Sequence, residues 1–307
     1  MTTPQQSLTS IPNQPYIGRF APSPSGELHF GSLITALGSY LQAKKNNGQW
    51  LLRIEDIDPP REVAGASQGI IESLERHQLL WDNKIVYQSQ RSHMYEGRLA
   101  ELLQQNLTYN CHCTRAELAM LDCKICCPCA DQGKSPEGAA IRFKNTQAIT
   151  TFYDAVQQQV VADNNAVEAQ FCLKRKDGLY AYQLAVVSDD IDQGITEVVR
   201  GADLLQATFY QLALYRAFAV PAPRFVHLPL VINAEGKKLS KQNHAQVLDP
   251  NRANHNLVDA MKFLGLSPPA SLCKAKVETM LNWAIESWDL AHVPKVIACH
   301  DNRIAEL

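Results

Sequence analysis

Arg19-Phe-Ala-Pro-Ser-Pro-Ser-Gly-Glu-Leu-His29-Phe30-Gly31-Ser32 is the stretch that decides the fold. An apolar, strand-like run from Tyr16 to Phe20 leads into it, and its Pro, Ser and Gly residues mark a turn. Beyond the turn Leu33, Ile34, Leu37, Tyr40 and Leu41 recur at helical spacing. A helix opening straight after a strand and a turn presents unpaired N–H groups, so its mouth favours negative charge. His29 stands at that mouth, where it can hydrogen-bond phosphate oxygens, and Gly31 lets a nucleotide lie directly against the backbone. Far downstream, Lys237-Lys238-Leu239-Ser240-Lys241-Gln242 follows Gly236 as a basic loop able to close over a triphosphate.

Working outward, Gln49–Asp56 is a short apolar run ending in acids, and Ala66–Leu80 has helical spacing with Ile70, Ile71 and Leu74 near one face. Strand, helix, strand, helix is the alternation of a parallel sheet covered on both faces. Functional groups in such sheets gather at the carboxyl ends of the strands, where Arg19–Ser23 and Glu55–Asp58 lie. After about residue 106 the pattern changes. A cysteine cluster and three short strand-like pieces (Ala139–Lys144, Thr151–Val156 and Phe171–Lys174) precede a turn at Lys176-Asp177-Gly178. The sheet is expected to resume with strands at Ala181–Val187 and Thr196–Arg200, a helix over Asp203–Phe218 and a strand over Phe225–Ile232. From Asn243 the chain reads as mostly helical. The expected organisation is a split catalytic domain (1–106 and 179–242), an inserted subdomain (107–178) and a short C-terminal region (243–307).

Composition narrows the class. With 46% apolar and 20% charged residues, the 307-residue chain is ordinary for a globular protein. A net charge of −2 argues against gripping nucleic acid by bulk charge. The polar Met1–Pro15 segment lacks the basic start and apolar core of a signal peptide. No apolar run reaches the ~18–20 residues of a membrane span, so a cytoplasmic protein is expected. Nine cysteines, six of them between Cys111 and Cys129, point in such a chain to metal before disulfides. Cys111-His-Cys113 and, nine residues on, Cys123-Lys-Ile-Cys126-Cys127-Pro-Cys129 have spacings that close a tetrahedral zinc site.

The two basic-loop and helix-mouth motifs resemble the paired ATP-binding motifs of class I aminoacyl-tRNA synthetases. With Gly18–His29, Leu52-Arg-Ile-Glu-Asp-Ile-Asp-Pro-Pro-Arg61, Val199-Arg-Gly-Ala-Asp-Leu-Leu205 and His227-Leu-Pro-Leu, the chain is similar to the catalytic half of glutamyl-tRNA synthetases over most of residues 16–242. Ser32 stands where the parent pattern has His or Asn, and Gln242 where it has Ser or Arg. The larger departure is length, which leaves no room for an anticodon-binding domain. A short form with His-Phe-Gly-Ser and Lys-Leu-Ser-Lys-Gln-Asn resembles the glutamyl-queuosine tRNA(Asp) synthetase family.

That resemblance implies an α/β fold: a class I synthetase-like Rossmann parallel sheet, an inserted zinc-containing α+β subdomain and a short helical C-terminal region. It implies ATP-dependent, tRNA-independent activation of L-glutamate, then transfer to the cyclopentene ring of queuosine at the wobble position of tRNA(Asp). His29 and Lys241 would be catalytic, and His29, Gly31, Lys238, Ser240 and Lys241 would bind ATP with its Mg²⁺. Arg19, Phe20, Ala21, Pro22, Ser23, Glu55, Tyr182 and Arg200 would bind glutamate, the arginines taking carboxylate and Glu55 the α-ammonium. The competing reading makes Arg19–Glu55 and Arg200–Asp203 structural ion pairs; Asp56 and Asp58 stay unassigned between substrate and pairing with Arg53 and Arg61. The family's zinc ligands fall on Cys111, Cys113 and Cys129, with its tyrosine ligand at the position of Ile125. Cys126 is taken as the fourth ligand of one structural zinc, Cys123 and Cys127 remaining open, and His112 less so. A monomer is expected. A minimal glutamyl-tRNA synthetase charging an acceptor 3′ end and a non-catalytic RNA-binding relative are the alternatives.

Overall fold

In the computed structural model, which describes residues 14–120, 127–146, 149–163, 170–233, 236 and 247–301, β1 (Ile17–Phe20) leads through its turn into α1 (Phe30–Lys45). β2 (Gln49–Ile54) returns parallel to β1, Ile17 opposite Gln49 and Phe20 opposite Leu52. Five of the six β2 residues are buried, as befits a parallel strand covered on both faces. α2 (Ala66–Arg76) crosses to β3 (Val86–Tyr87), which extends the sheet beside β2, and α3 (Ser92–Gln104) follows.

The segment expected as an insertion divides its strands between two sheets. β4 (Thr108–Cys111), which is followed by α4 (Arg115–Met120), forms with β5 (Ala140–Phe143) and a later strand, β8 (Cys172–Lys174), a small antiparallel sheet in the order β4-β5-β8. Between them β6 (Thr151–Asp154) and β7 (Gln158–Val161) form a hairpin that joins the parallel sheet instead. The chain then enters α5 (Tyr182–Asp192), β9 (Glu197–Gly201), α6 (Ala207–Ala217) and β10 (Arg224–Leu228). β10 pairs in parallel with β9 on one side and with β6 on the other.

β9 lies beside β1. The Thr196 N–H donates to the Ile17 carbonyl at 2.9 Å, and the Ile17 N–H donates to Thr196 Oγ1 at 2.9 Å. Reading across, the parallel strands run β3-β2-β1-β9-β10-β6, so strand order reverses between β1 and β9. A crevice at the carboxyl ends is expected at such a reversal.

α1 is the central helix. Ten of its residues are buried, including Leu33, Ile34, Leu37 and Leu41 against the sheet. Gly38 permits its close approach to β10, since a Cβ there would come within 2.6 Å of Leu228 Cδ1. β11 (Leu230–Ile232) precedes α7 (Ala253–Phe263) and α8 (Val277–Ser287), which pack on α1, and β12 (Ala298–His300) pairs in parallel with β11. Trp288 Nε1 donates to Gln42 Oε1 at 2.7 Å, tying this region to α1 by a buried polar contact. Among the described residues no helix is long and apolar enough to cross a membrane.

Two expected strands differ. Ala181–Val187 is helical, forming the start of α5. Leu184 through Asp190 are all buried, and an apolar run buried all round carries no period to separate strand from helix. Phe225–Ile232 is two strands rather than one, divided at Pro229, which has no N–H for a ladder.

Candidate active site

The strand-order reversal holds a cavity of about 120 Å³ lined by Arg19 and Phe20 at the end of β1, Ala21 just after it, Glu55 after β2, Tyr182 at the first turn of α5, and Arg200 on β9. Six of the eight residues expected to bind glutamate thus converge on one space. Pro22 and Ser23 are not among its lining residues, although the Pro22 carbonyl accepts from the Glu55 N–H at 3.0 Å and so fixes how the two strand ends meet. Thr35, Val199, Gly201 and Leu204 complete the lining. A larger, open concavity of about 490 Å³, lined by Gln49, Leu51, Asn83, Lys84, Val86 and Gln193, starts at the opposite strand ends and gathers no comparable set of charges.

Arg19 is held by Asp190, not by Glu55. Its Nε and Nη2 donate to the two Asp190 oxygens at 3.1 and 3.3 Å, and Arg53 Nη2 donates to the same carboxylate at 2.6 Å. Burial alone would raise the Asp190 carboxyl; the two arginines outweigh it and hold the group below the ordinary carboxylate range. Arg53, fully buried, also reaches Gln193 Oε1 at 2.5 Å and lies 3.8 Å from both Asp189 and Glu55. Asp56 instead accepts from the Ser89 N–H and hydroxyl, and Asp58 pairs with Arg61 and Arg175. Both acids are therefore committed to structure.

Two groups at the cavity are left incomplete. Glu55 is 8% exposed, and its Oε1 is buried with no hydrogen-bond partner among the described residues. Burial drives its carboxyl up to about 7, against the opposing pull of Arg53 and Arg19. Arg200 Nη1 is likewise buried without a partner, while Nε donates to His227 Nε2 at 3.0 Å and Nη2 to Thr208 Oγ1 at 2.8 Å. Burial, and secondly the charge of Arg19, lower the Arg200 affinity for its proton. Burial and the Glu55 charge push the Tyr182 hydroxyl up to about 12, so it stays a neutral donor. An unpartnered carboxylate oxygen and an unpartnered guanidinium nitrogen on one small cavity suit a ligand carrying both an ammonium and a carboxylate, since leaving either group unmet is costly.

The nucleotide side is built on the mouth of α1. His29 is its N-cap, and Nδ1 accepts from the Ser32 N–H at 3.3 Å, which requires the tautomer protonated at Nε2. A backbone bridge to Val247 brings the chain after the basic loop alongside His29. Gly31 is in the first turn of α1. Lys238, Ser240 and Lys241 lie outside the described residues.

Cys111, Cys113, Cys127 and Cys129 gather with all four sulfurs within 4.8 Å of one another. The pairs 111–127, 113–127 and 113–129 are 3.4, 3.8 and 3.7 Å apart. Four thiolates around zinc at ~2.3 Å stand about 3.8 Å apart in a tetrahedron, so this spacing suits a four-coordinate cation. Cys127 completes the described set; Cys126 and Cys123 lie outside the described residues.

Sequence reading missed Asp190, Thr208 and Asp154. The signal for the first was the acid pair Asp189-Asp190 inside an apolar run, a placement that acids occupy only when paired. His227 stood in a quoted motif without a role.

A family model for tRNA synthetases class I (E and Q), catalytic domain, matches residues 17–125 and 127–273. The chain is 50% identical over 280 residues to the glutamyl-Q tRNA(Asp) synthetase of Serratia proteamaculans (strain 568), covering 91% of this chain and 92% of that one. It is 48% identical over 287 residues to the protein of that name from Cronobacter sakazakii (strain ATCC BAA-894), covering 94% and 96%. Among solved structures it is similar to a glutamate tRNA ligase from Elizabethkingia meningosepticum CCUG26117 in complex with its amino acid. The TM-score is 0.76 at 26% identity, covering 94% of this chain and 67% of that one.

The raised Glu55 value gives a pH prediction. An ammonium binds the carboxylate form, so protons compete with the ligand below about pH 7. L-Glutamate affinity, measured by calorimetry between pH 5.5 and 8.5, should weaken by about tenfold per unit below that point. Glu55→Gln should bind weakly at every pH and lose the slope.

Proposed function

This chain belongs to the family of class I tRNA synthetases for glutamate and glutamine, and we propose that it carries out the two-step reaction of a glutamyl-queuosine tRNA(Asp) synthetase. First, without tRNA, an α-carboxylate oxygen of L-glutamate attacks the α-phosphorus of ATP. Pyrophosphate leaves and glutamyl-adenylate forms. Second, a hydroxyl of the queuosine cyclopentene ring at the wobble position of tRNA(Asp) attacks the activated carbonyl. AMP leaves, and the hydroxyl proton is lost to solvent or to the departing phosphate.

The observation that carries the amino-acid half is the cavity holding one orphaned carboxylate oxygen, Glu55 Oε1, and one orphaned guanidinium nitrogen, Arg200 Nη1. In this reading Glu55 takes the ammonium, Arg19 and Arg200 take carboxylate, and Tyr182 donates its hydroxyl. Phe20 and Ala21 shape the wall, and Pro22 and Ser23 continue it through their backbone. ATP lies at the mouth of α1 against His29 and Gly31, with Lys238, Ser240 and Lys241 closing over it and Mg²⁺ entering with the triphosphate. His29 and Lys241 act by stabilising charge that develops in flight. A mixed anhydride is reactive enough that the second step needs positioning rather than a dedicated base. The acceptor half is supported by near full-length identity to proteins named for that substrate.

The four cysteines are proposed to hold one structural zinc, with Cys111, Cys113, Cys127 and Cys129 as its ligands and no open position for chemistry. It would staple a subdomain whose own apolar core is small.

Three outcomes test these roles. Lys241→Ala should reduce glutamate-dependent ATP–pyrophosphate exchange by about 10²-fold or more while the circular dichroism spectrum is unchanged. Metal analysis should find one zinc per chain, lost in Cys127→Ser and retained in Cys126→Ser. Labelled glutamate supplied with ATP should appear on tRNA(Asp) containing queuosine and not on the same tRNA without it. Label on tRNA lacking queuosine that disappears after periodate oxidation of the 3′ end would instead identify an acceptor-charging enzyme.

A further inference from the structure

Arg200 reaches its working position through a buried relay that begins outside the catalytic strands. Strand register sets His227 of β10 directly opposite Arg200 of β9, and His227 Nε2 lies 3.0 Å from Arg200 Nε. Guanidinium nitrogens only donate, so Nε2 must be the bare nitrogen of the ring. The reason it is bare sits on the other side. Asp154, at the end of β6, has its Oδ2 2.6 Å from His227 Nδ1. Its Oδ1 accepts from the N–H groups of Val156, Gln157 and His227 at 3.0, 2.8 and 3.2 Å. That carboxylate is immobilised as an acceptor, and it demands a proton on Nδ1. Thr208 Oγ1 fixes Arg200 Nη2 at 2.8 Å, and the Phe225 ring lies under the guanidinium at 5.3 Å. Asp154, His227 and Thr208 are each fully buried.

We infer that Asp154 and His227 are positioning residues for substrate binding, setting the ring tautomer that anchors Arg200 by Nε and leaves Nη1 as the donor for a ligand carboxylate. Burial lowers the His227 ring to about 4, so the neutral form that this arrangement needs persists across the working pH range. The inference rests on the amino-acid-activating reading above. It also gives the β6–β7 hairpin a role in the site, because through Asp154 it couples the segment between the two halves of the parallel sheet to the amino-acid cavity.

Asp154→Asn isolates the effect. The amide keeps the shape, and its oxygen can still accept the three backbone N–H groups, which turns its NH₂ toward His227 Nδ1. The ring must then carry its proton on Nε2, donor against donor with Arg200 Nε. His227→Glu in the same background restores complementarity, because a carboxylate can accept from the new amide with one oxygen and from Arg200 Nε with the other.

The test is ATP–pyrophosphate exchange on the full chain, with melting temperature and ¹⁵N spectra of labelled histidine. Asp154→Asn should raise the KM for glutamate by about tenfold or more, as for a lost charge-assisted contact, with the KM for ATP and the melting temperature little changed. The ¹⁵N spectrum should show the protonated nitrogen of His227 switched from Nδ1 to Nε2, and the double variant should recover part of the glutamate KM. An unchanged glutamate KM overturns the inference. So does equal loss for both substrates with a lowered melting temperature and no recovery in the double variant, which marks a merely structural role. If the wild-type chain shows no glutamate-dependent exchange, the amino-acid reading itself fails. The ¹⁵N spectra still decide the tautomer relay: an unaltered tautomer in Asp154→Asn would sink it.

Discussion

One buried carboxylate, Asp190, holds arginines from two neighbouring strands, and the rest of the site takes its shape from that contact. Arg19 and Arg53 come from β1 and β2, and Asp190 comes from α5 on the sheet face. Without the acid, two guanidinium groups would be buried side by side. Removing one partner from such a group typically costs about 3–5 kcal/mol. Because Asp190 occupies Arg19 and Arg53, Arg53 approaches Glu55 no closer than 3.8 Å, and Glu55 Oε1 keeps no hydrogen bond among the described residues. The site is thus held open by charge balance just outside it.

The reversal of strand order between β1 and β9 supplies the space. Neighbouring strands whose crossovers run to opposite sides leave a gap at their carboxyl ends, and α1 begins at the same place. One end of the sheet therefore offers both a helix mouth suited to phosphates and a cavity suited to an amino acid. An in-line attack of carboxylate on phosphorus needs that adjacency. Most of the catalytic advantage would then come from orientation and from charges already in place.

Much of this was legible in the sequence because it is local. The Arg19–Ser32 turn, the Gln49–Asp56 run and the Val199–Leu205 motif each carry their own strand and turn chemistry, so five of the residues expected to bind glutamate, which line one cavity with Tyr182, stood in them. What was not legible depends on burial and long-range pairing. α5 read as a strand because its apolar residues are covered on every side, and with it went the partners of Arg19. The alternative pairing of Arg19 with Glu55 failed for the same reason: Asp190 is far away in sequence and adjacent only in the fold. Asp154 lay within a segment that composition sets apart, and nothing local shows that β6 turns back to hydrogen-bond β10. The cysteine cluster was legible as a candidate metal site from its spacing, and four of its sulfurs do gather. Which sulfur comes fourth is a question of backbone direction near Cys127, and spacing alone left it open.

The central claim is that Glu55 Oε1 and Arg200 Nη1 lack a hydrogen bond among the described residues because a zwitterionic amino acid completes them. It is tested most directly by a crystal structure of the full chain with L-glutamate. The account predicts the ammonium within hydrogen-bond distance of Glu55 Oε1 and a carboxylate oxygen on Arg200 Nη1, with the Arg19–Asp190 pair undisturbed. Glutamate bound elsewhere, or Glu55 Oε1 and Arg200 Nη1 both still without a hydrogen bond in its presence, would contradict it.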